Sequence, residues 1–263
     1  MAGQFDTFAH FARSLARSAR SETLPGCRGG LGGVENKLPE GFDPVTESDR
    51  NSERAMRRLI EAHYPEHGIA GEEFPDRPAA GPWSWSLDPI DGTRAYVCGL
   101  PSWTTLIALL DGGEPVLGIV DVPRLDELYM GHEGGAQLFA GGGETRPLAV
   151  SGCASLREAR LSTTDPYLFQ GDEADGFERL RRSARLTRYG LDAYAYALLA
   201  AGSLDVVAES GLKPHDYNAL VPLVRAAGGA VSNWSGGTDL EAGQIVAAAS
   251  EKLLEEACRL LSG

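Results

Sequence analysis

The chain has 263 residues, 43% of them hydrophobic and 23% charged, a balance that suits a folded protein with a sizeable core and excludes disordered and fibrous classes. Its 24 lysines and arginines against 37 aspartates and glutamates leave a formal charge of −13, so attraction to nucleic-acid backbones or anionic lipid by bulk electrostatics is disfavoured. A phosphate-bearing ligand would need a site that reverses this field locally.

The first 20 residues carry Phe5, Phe8, Phe11, Leu15 and Ala16 near helical spacing and predict an amphipathic helix docked on the surface; Asp6 and the lack of a small-residue cleavage site argue against a transit peptide. No run of about 18 apolar residues occurs, so no membrane-spanning helix is expected and the cytoplasm is the default location. The glycine-rich stretch 26–33 reads as a loop. Residues 52–64 predict a second helix, with Met56, Leu59 and Ile60 on one side and Pro65 as its stop. A short apolar step at 68–74, a loop rich in Pro, Gly and Asp, and a strand running into Asp88 follow. The stretch 104–122 predicts two strands joined by the hairpin turn Asp111-Gly112-Gly113, and further strands are expected near 127–131 and 136–140, before the turn Gly141-Gly142-Gly143. The first half therefore reads as an antiparallel-leaning sheet preceded by two helices.

Beyond Ser151 the pattern alternates. Strands are expected at 159–164, 185–189, 204–209, 230–234 and 244–249, and helices at 173–184, 192–201, 215–227 and 250–261. This exchange predicts layered α/β packing, one continuous unit in two halves, 1–150 and 151–263. Cys27, Cys98, Cys153 and Cys258 are too scattered for a disulfide framework or a zinc site. The five histidines show no metal-binding pairing and are expected at the surface, whereas Trp83, Trp85, Trp103 and Trp234 are expected to pack against sheets.

The most informative segment is Leu87-Asp88-Pro89-Ile90-Asp91-Gly92-Thr93. Pro89 forces Asp88 toward an extended backbone, and a turn can then bring the Asp88 and Asp91 carboxylates to one point with the Ile90 carbonyl between them. Hard cations such as Mg²⁺ take such all-oxygen sets, and the Gly92 and Thr93 N–H groups can approach an anion if a helix begins there. Glu72, directly after Gly71, is a candidate further ligand. Asp216 precedes an apolar helix, where it is either an N-cap or a ligand supplied from the second half.

Together these segments resemble the inositol monophosphatase family of metal-dependent, lithium-sensitive phosphatases. The matching pieces are Pro44-Val45-Thr46 with Ser48-Asp49, Gly71-Glu72-Glu73, the turn from Asp88 to Thr93, and Asp216 before Ala226-Ala227-Gly228-Gly229, in the family's order and spanning about residues 37 to 250. The resemblance implies an αβαβα sandwich, as in fructose-1,6-bisphosphatase, and hydrolysis of a small phosphate monoester with two to three Mg²⁺ ions. By position it makes Glu72, Asp88, the Ile90 carbonyl, Asp91 and Asp216 the metal ligands, and Asp49 and Thr93, with Glu72, the groups that orient and activate the attacking water. A homodimer is a further family expectation.

Within the family, Leu100-Pro101 with 103–109, Leu161-Ser162-Thr163-Thr164, Arg188-Tyr189-Gly190 with Asp192, Tyr194, Ala195 and Tyr196, and Leu212-Lys213-Pro214 resemble the enzymes that hydrolyse histidinol phosphate. His215, where the family more often has an aromatic residue, and the loop Leu38-Pro39-Glu40-Gly41 depart from the pattern. Histidinol phosphate carries an amine and an imidazole, so its pocket should offer carboxylates. Asp192 and Glu209 are the candidates, with Arg94 and Arg188 near the phosphate or at the pocket rim; for each the alternative is a surface charge or a structural ion pair. Inositol phosphates, bisphosphate nucleotides and sugar phosphates remain competing substrates, and a catalytically silent metal-binding regulator is the reading from another class.

Overall fold

The computed structural model describes residues 2–27, 34–36 and 44–263. Most of the glycine-rich loop expected at 26–33, and all of Leu38-Pro39-Glu40-Gly41, lie outside the described residues.

Helix α1 (Ala2–Thr23) turns Phe8, Phe11, Ala12, Leu15, Ala16 and Ala19 inward, the stripe that its periodicity predicts. A two-stranded ribbon, β1 (Val34–Asn36) against β2 (Pro44–Thr46), leads into helix α2 (Glu47–His63). This helix starts before the predicted residue 52. The cause is a cap: the Asp49 carboxylate reaches back to the Thr46 N–H at 2.8 Å and satisfies a donor that the first turn leaves open.

The first sheet has seven strands, side by side in chain order: β3 (Gly68–Gly71), β4 (Trp83–Asp91), β5 (Thr104–Asp111), β6 (Glu114–Val122), β7 (Glu127–His132), β8 (Gly135–Ala140) and β9 (Glu144–Pro147). All neighbours are antiparallel except β3 and β4. The short helix α3 (Thr93–Val97) follows β4 directly. The alternation of β5 divides two cores, Leu106 and Ala108 on one face and Ile107 and Leu109 on the other. Strand β9 was not expected from the sequence; its four residues are all exposed, so they carry no alternation to read.

The second sheet orders its strands β11 (Leu186–Tyr189), β10 (Arg160–Thr163), β12 (Val206–Glu209), β14 (Ile245–Ala248), β13 (Ala230–Asn233), with β10 parallel to both its neighbours and β14 antiparallel to both of its own. The remaining helices are α4 (Asp172–Ser183), α5 (Tyr194–Ala200), α6 (Pro214–Tyr217), α7 (Leu220–Ala226) and α8 (Glu251–Leu261). Helices α1 and α2 cover one face of the first sheet, α5 and α7 lie between the sheets, and α4 and α8 cover the far face of the second, giving the αβαβα order. The single helix expected at 215–227 is divided into α6 and α7. Asn218 and Ala219 keep helical angles, but Pro222 has no N–H to give the Asn218 carbonyl, and the ladder lapses there.

Helix α7 approaches the first sheet through two glycines. A Cβ on Gly118 would overlap the Ala219 carbonyl and lie 2.9 Å from Pro222 Cγ, and one on Gly131 would meet the backbone of Leu223. Gly118→Val is therefore expected to cost about 3 kcal/mol in urea unfolding; a loss below about 0.5 kcal/mol would contradict so close a contact.

One histidine departs from its expected surface position. His67 is buried, stacks on Tyr64 with ring centroids 4.6 Å apart, and accepts a hydrogen bond from Trp85 Nε1 at 3.1 Å. The buried indole N–H needs an acceptor, and the ring supplies it. All four cysteines are free thiols, and among the described residues no helix is long and apolar enough to cross a membrane.

Candidate active site

The site begins with an irregularity in β4. Asp88 pairs with Leu106 and Asp91 with Thr104, so three steps on β4 face two on β5. In a regular strand, residues three apart point to opposite faces; the extra residue of this bulge returns Asp91 to the side of Asp88. It also takes Pro89 and Ile90 out of the ladder. Thr105 Oγ1 donates to the Pro89 carbonyl at 2.8 Å, the Ile90 N–H donates to Asp88 Oδ1 at 3.0 Å, and the Ile90 carbonyl accepts from a side chain, Thr93 Oγ1 at 3.0 Å. Gly92 caps α3 at φ +79°, where an L side chain is strained and where a Cβ would also lie 2.9 Å from the Asp192 carboxylate.

The third acid comes from the second half. Asp216 is not the N-cap of α6 but its third residue: Lys213 occupies the cap, and its N–H donates to Asp216 Oδ2 at 2.7 Å. The other oxygen lies 3.5 Å from His215 Nε2. Asp88, Asp91 and Asp216 each offer a carboxylate oxygen, all within 4.8 Å of one another. Asp91 Oδ2 is fixed by the Ala193 N–H at 2.8 Å and Thr104 Oγ1 at 3.3 Å. Glu72 lines the same cavity just beyond β3. Asp49 is buried behind it, its Oδ2 also accepting from Thr46 Oγ1 at 2.5 Å. The Thr93 hydroxyl spends its proton on the Ile90 carbonyl, so it does not donate to Asp49.

Burial raises the proton affinity of Asp88, and the charges of Glu72, Asp91 and Asp216 add to it. Asp91 is raised by burial, then by Asp192 and Asp216, and Asp216 by burial in spite of His215. Burial pushes Asp49 up to about 6 against the hydrogen bonds from Thr46, and Asp192 up to about 6 against the charge of Arg94. Carboxylates crowded this closely with a backbone carbonyl beside them form a hard-oxygen donor set, which fits a divalent cation such as Mg²⁺.

A sign follows for pH. These carboxyl groups hold their protons more tightly folded than unfolded, so their contribution to stability falls as pH rises from about 4 through the raised values. The metal-free protein should melt several degrees higher at pH 5.5 than at pH 8 through this set, and added Mg²⁺, which competes with those protons, should raise the melting temperature more at pH 8. Thermal melts in EDTA and in excess Mg²⁺ measure both; an equal Mg²⁺ gain at the two pH values would contradict it.

Two adjoining cavities open on the acids. The first, about 280 Å³, is lined by Glu72, Asp88, Ile90, Asp91, Gly92, Thr93, Arg94, Asp192, Lys213, His215 and Asp216 among others. The second, about 210 Å³, shares Asp91, Thr164, Leu168, Asp192, Gly211 and Asp216 with it and runs back to Tyr196 and Glu209. Glu209 is buried and pushed up to about 8 by that burial, although the Thr164 N–H (2.7 Å), Thr164 Oγ1 (3.0 Å) and Thr163 Oγ1 (3.1 Å) all donate to it. Arg188 is not brought in: it is exposed on the edge strand β11 and lines neither cavity. Tyr196, whose buried hydroxyl has no partner among the described residues, Lys213 and His215 also line these cavities; the sequence marked them through the family resemblance but did not assign them to the site.

The inositol monophosphatase family model matches residues 5–262. The chain belongs to the inositol monophosphatase family, whose members are metal-dependent phosphatases of small phosphate monoesters. It is similar to the bifunctional phosphatase IMPL2, chloroplastic, of Arabidopsis thaliana, 41% identical over 197 residues, which cover 74% of this chain and 56% of that protein; the chain thus spans little more than half of that relative's length. A histidinol-phosphatase of Mycobacterium tuberculosis is 33% identical over 240 residues, 89% of this chain and 91% of that one. Among solved structures, an inositol monophosphatase from Zymomonas mobilis is 36% identical with a TM-score of 0.85, covering 98% of this chain and 99% of the other. The expected αβαβα fold is borne out by these neighbours.

Proposed function

We propose that this phosphatase hydrolyses L-histidinol phosphate to L-histidinol and phosphate. The observation that carries the reading is the second cavity: it joins the acidic cluster, is lined by Asp192, Glu209 and Tyr196, and has no lysine or arginine among the described residues that line it. A pocket of that sign suits a cationic organic group, and it adjoins the cavity where the acids cluster. The name of the Mycobacterium tuberculosis relative agrees with this choice, and that of the Zymomonas mobilis structure marks the competitor, an inositol phosphate.

Glu72, Asp88, the Ile90 carbonyl, Asp91 and Asp216 would hold the metal, two to three Mg²⁺ ions. Bound there, Mg²⁺ would supply charge stabilisation for the phosphoryl oxygens and leaving alkoxide and lower the pKa of a bound water. Gly92, Thr93 and Arg94 would border the phosphate. Thr93 Oγ, its own proton committed to the Ile90 carbonyl, is left as an acceptor that can orient a water proton. Asp49 would act with it and with Glu72 in taking that proton. Water would then add to phosphorus in line as the ester P–O bond breaks, the departing alkoxide taking a proton from solvent water to give the alcohol, with no covalent phosphoenzyme.

Phosphate release in Mg²⁺ from histidinol phosphate, inositol 1-phosphate, an adenosine bisphosphate and a sugar phosphate tests the reading. The expected kcat/KM is at least about tenfold higher on histidinol phosphate, roughly one charge-assisted contact. A preference for any of the others overturns the assignment.

A further inference from the structure

Helix α2 presents a row of three polar side chains one turn apart, Asp49, Glu53 and Arg57. The first belongs to the site already described. The second is a fully buried carboxylate, and the chemistry proposed above does not use it. Glu53 Oε1 pairs with Arg57 Nε at 2.7 Å, and Glu53 Oε2 accepts the N–H of Glu73 at 2.8 Å. The guanidinium goes further: Nη2 donates to the Phe74 carbonyl at 3.0 Å and Nη1 to the Pro75 carbonyl at 3.1 Å. The carboxylate also fills the space beside Gly71, where a Cβ would fall 2.5 Å from Glu53 Cδ.

Glu72 therefore stands between two backbone positions that Glu53 fixes, Gly71 by contact and Glu73 by a hydrogen bond, and Arg57 fixes the two carbonyls that follow. A buried ion pair is a costly way to anchor a loop, because each charge loses its hydration and is repaid only if its hydrogen bonds are filled. Here they are filled by the backbone that carries Glu72. A helix-borne clamp restricts where the Glu72 carboxylate can go, and a preorganised ligand binds a cation more tightly than one that must be ordered first.

We propose that Glu53 and Arg57 are positioning residues: by gripping the backbone from Gly71 to Pro75 from α2, they set the affinity of the cation that Glu72 helps to hold. This rests on the reading of Glu72 as a metal ligand. Glu53→Gln keeps the shape and loses the charge; Arg57→Lys keeps a charge and loses the fork onto the two carbonyls. Mg²⁺ binding to the metal-free protein by titration calorimetry, and the Mg²⁺ dependence of phosphate release, are measured for both, for Glu72→Gln and for the double variant of Glu53→Gln with Glu72→Gln.

Each clamp variant should weaken Mg²⁺ binding roughly tenfold. The kcat at saturating Mg²⁺ should recover to within about twofold of the parent, and Glu53→Gln should add less than about twofold once Glu72 is Gln, because residues that act through one another are not additive. A merely structural anchor would lower the melting temperature and leave the Mg²⁺ midpoint in place. The clamp is overturned if Glu72→Gln weakens Mg²⁺ binding and neither Glu53→Gln nor Arg57→Lys does, or if Glu53→Gln keeps its full effect beside Glu72→Gln. If Glu72→Gln itself leaves Mg²⁺ binding unchanged, the ligand reading fails and the clamp with it.

Discussion

Asp91→Asn is expected to lower kcat/KM roughly a thousandfold or more, about 4 kcal/mol of transition-state stabilisation, with phosphate release in saturating Mg²⁺ as the measurement. Asp91 is one of three acids whose carboxylate oxygens lie within 4.8 Å of one another, and its Oδ2 is fixed by the Ala193 N–H and Thr104 Oγ1. An asparagine fills the same volume, and its carbonyl can still accept from Ala193. What it lacks is the charge. Because burial and the neighbouring Asp192 and Asp216 make that charge costly in the metal-free protein, the variant should melt no lower than the parent in EDTA at pH 8 and gain less from added Mg²⁺. An inactive variant that also melts much lower would point to a structural role. Activity within about tenfold of the parent would remove Asp91 from the chemistry.

Glu209→Gln should separate substrates. Losing one charge-assisted contact to a cationic group costs about 1.5–3 kcal/mol, or roughly ten- to a hundredfold in kcat/KM on histidinol phosphate. A neutral polyol can still bond to the amide, so the ratio of histidinol phosphate to inositol 1-phosphate should fall about tenfold. The pH profile carries a second signature. With Glu209 raised to about 8 and Asp192 to about 6, both are protonated in acid, and a cationic substrate binds the ionised forms. KM for histidinol phosphate should therefore fall as pH rises from 6 to 8.5, and the part of that fall above pH 7 should vanish in Glu209→Gln. A flat profile in the parent enzyme would exclude Glu209 from the pocket.

The elements that could be read from the sequence are those whose period reports one buried face. Phe8, Phe11 and Leu15 in α1, and the alternation through β5 and β6, divide between layers because regular geometry meets a core. The expectations failed where local chemistry overrides period. The start of α2 was missed because its first turn is polar and held by Thr46 and Asp49, a Thr-x-x-Asp signal that lies outside the apolar stripe. The break between α6 and α7 follows from one missing N–H at Pro222.

The acidic turn from Asp88 to Asp91 was legible because its residue types are chemically unusual side by side. Tyr196, Lys213 and His215 stood out in the sequence only through the family resemblance and not as site residues: the packing of α5 and α6 against the first sheet brings them to the cavities. Arg188 shows the converse, a residue close in sequence to Asp192 that the edge of a sheet carries away from it.

The bulge in β4 also bears on how this segment can change by insertion or deletion. Remove Pro89 or Ile90, and Asp88 and Asp91 would stand two apart in a regular strand, still on one face, with every acidic side chain retained. The ladder would then close over the backbone, and the carbonyl that now faces the cavity would be paired with β5. A one-residue deletion could thus leave the acidic signature of the segment readable and remove an oxygen that no side-chain comparison records. Along this stretch the length of the chain shapes the donor set as much as its carboxylates do.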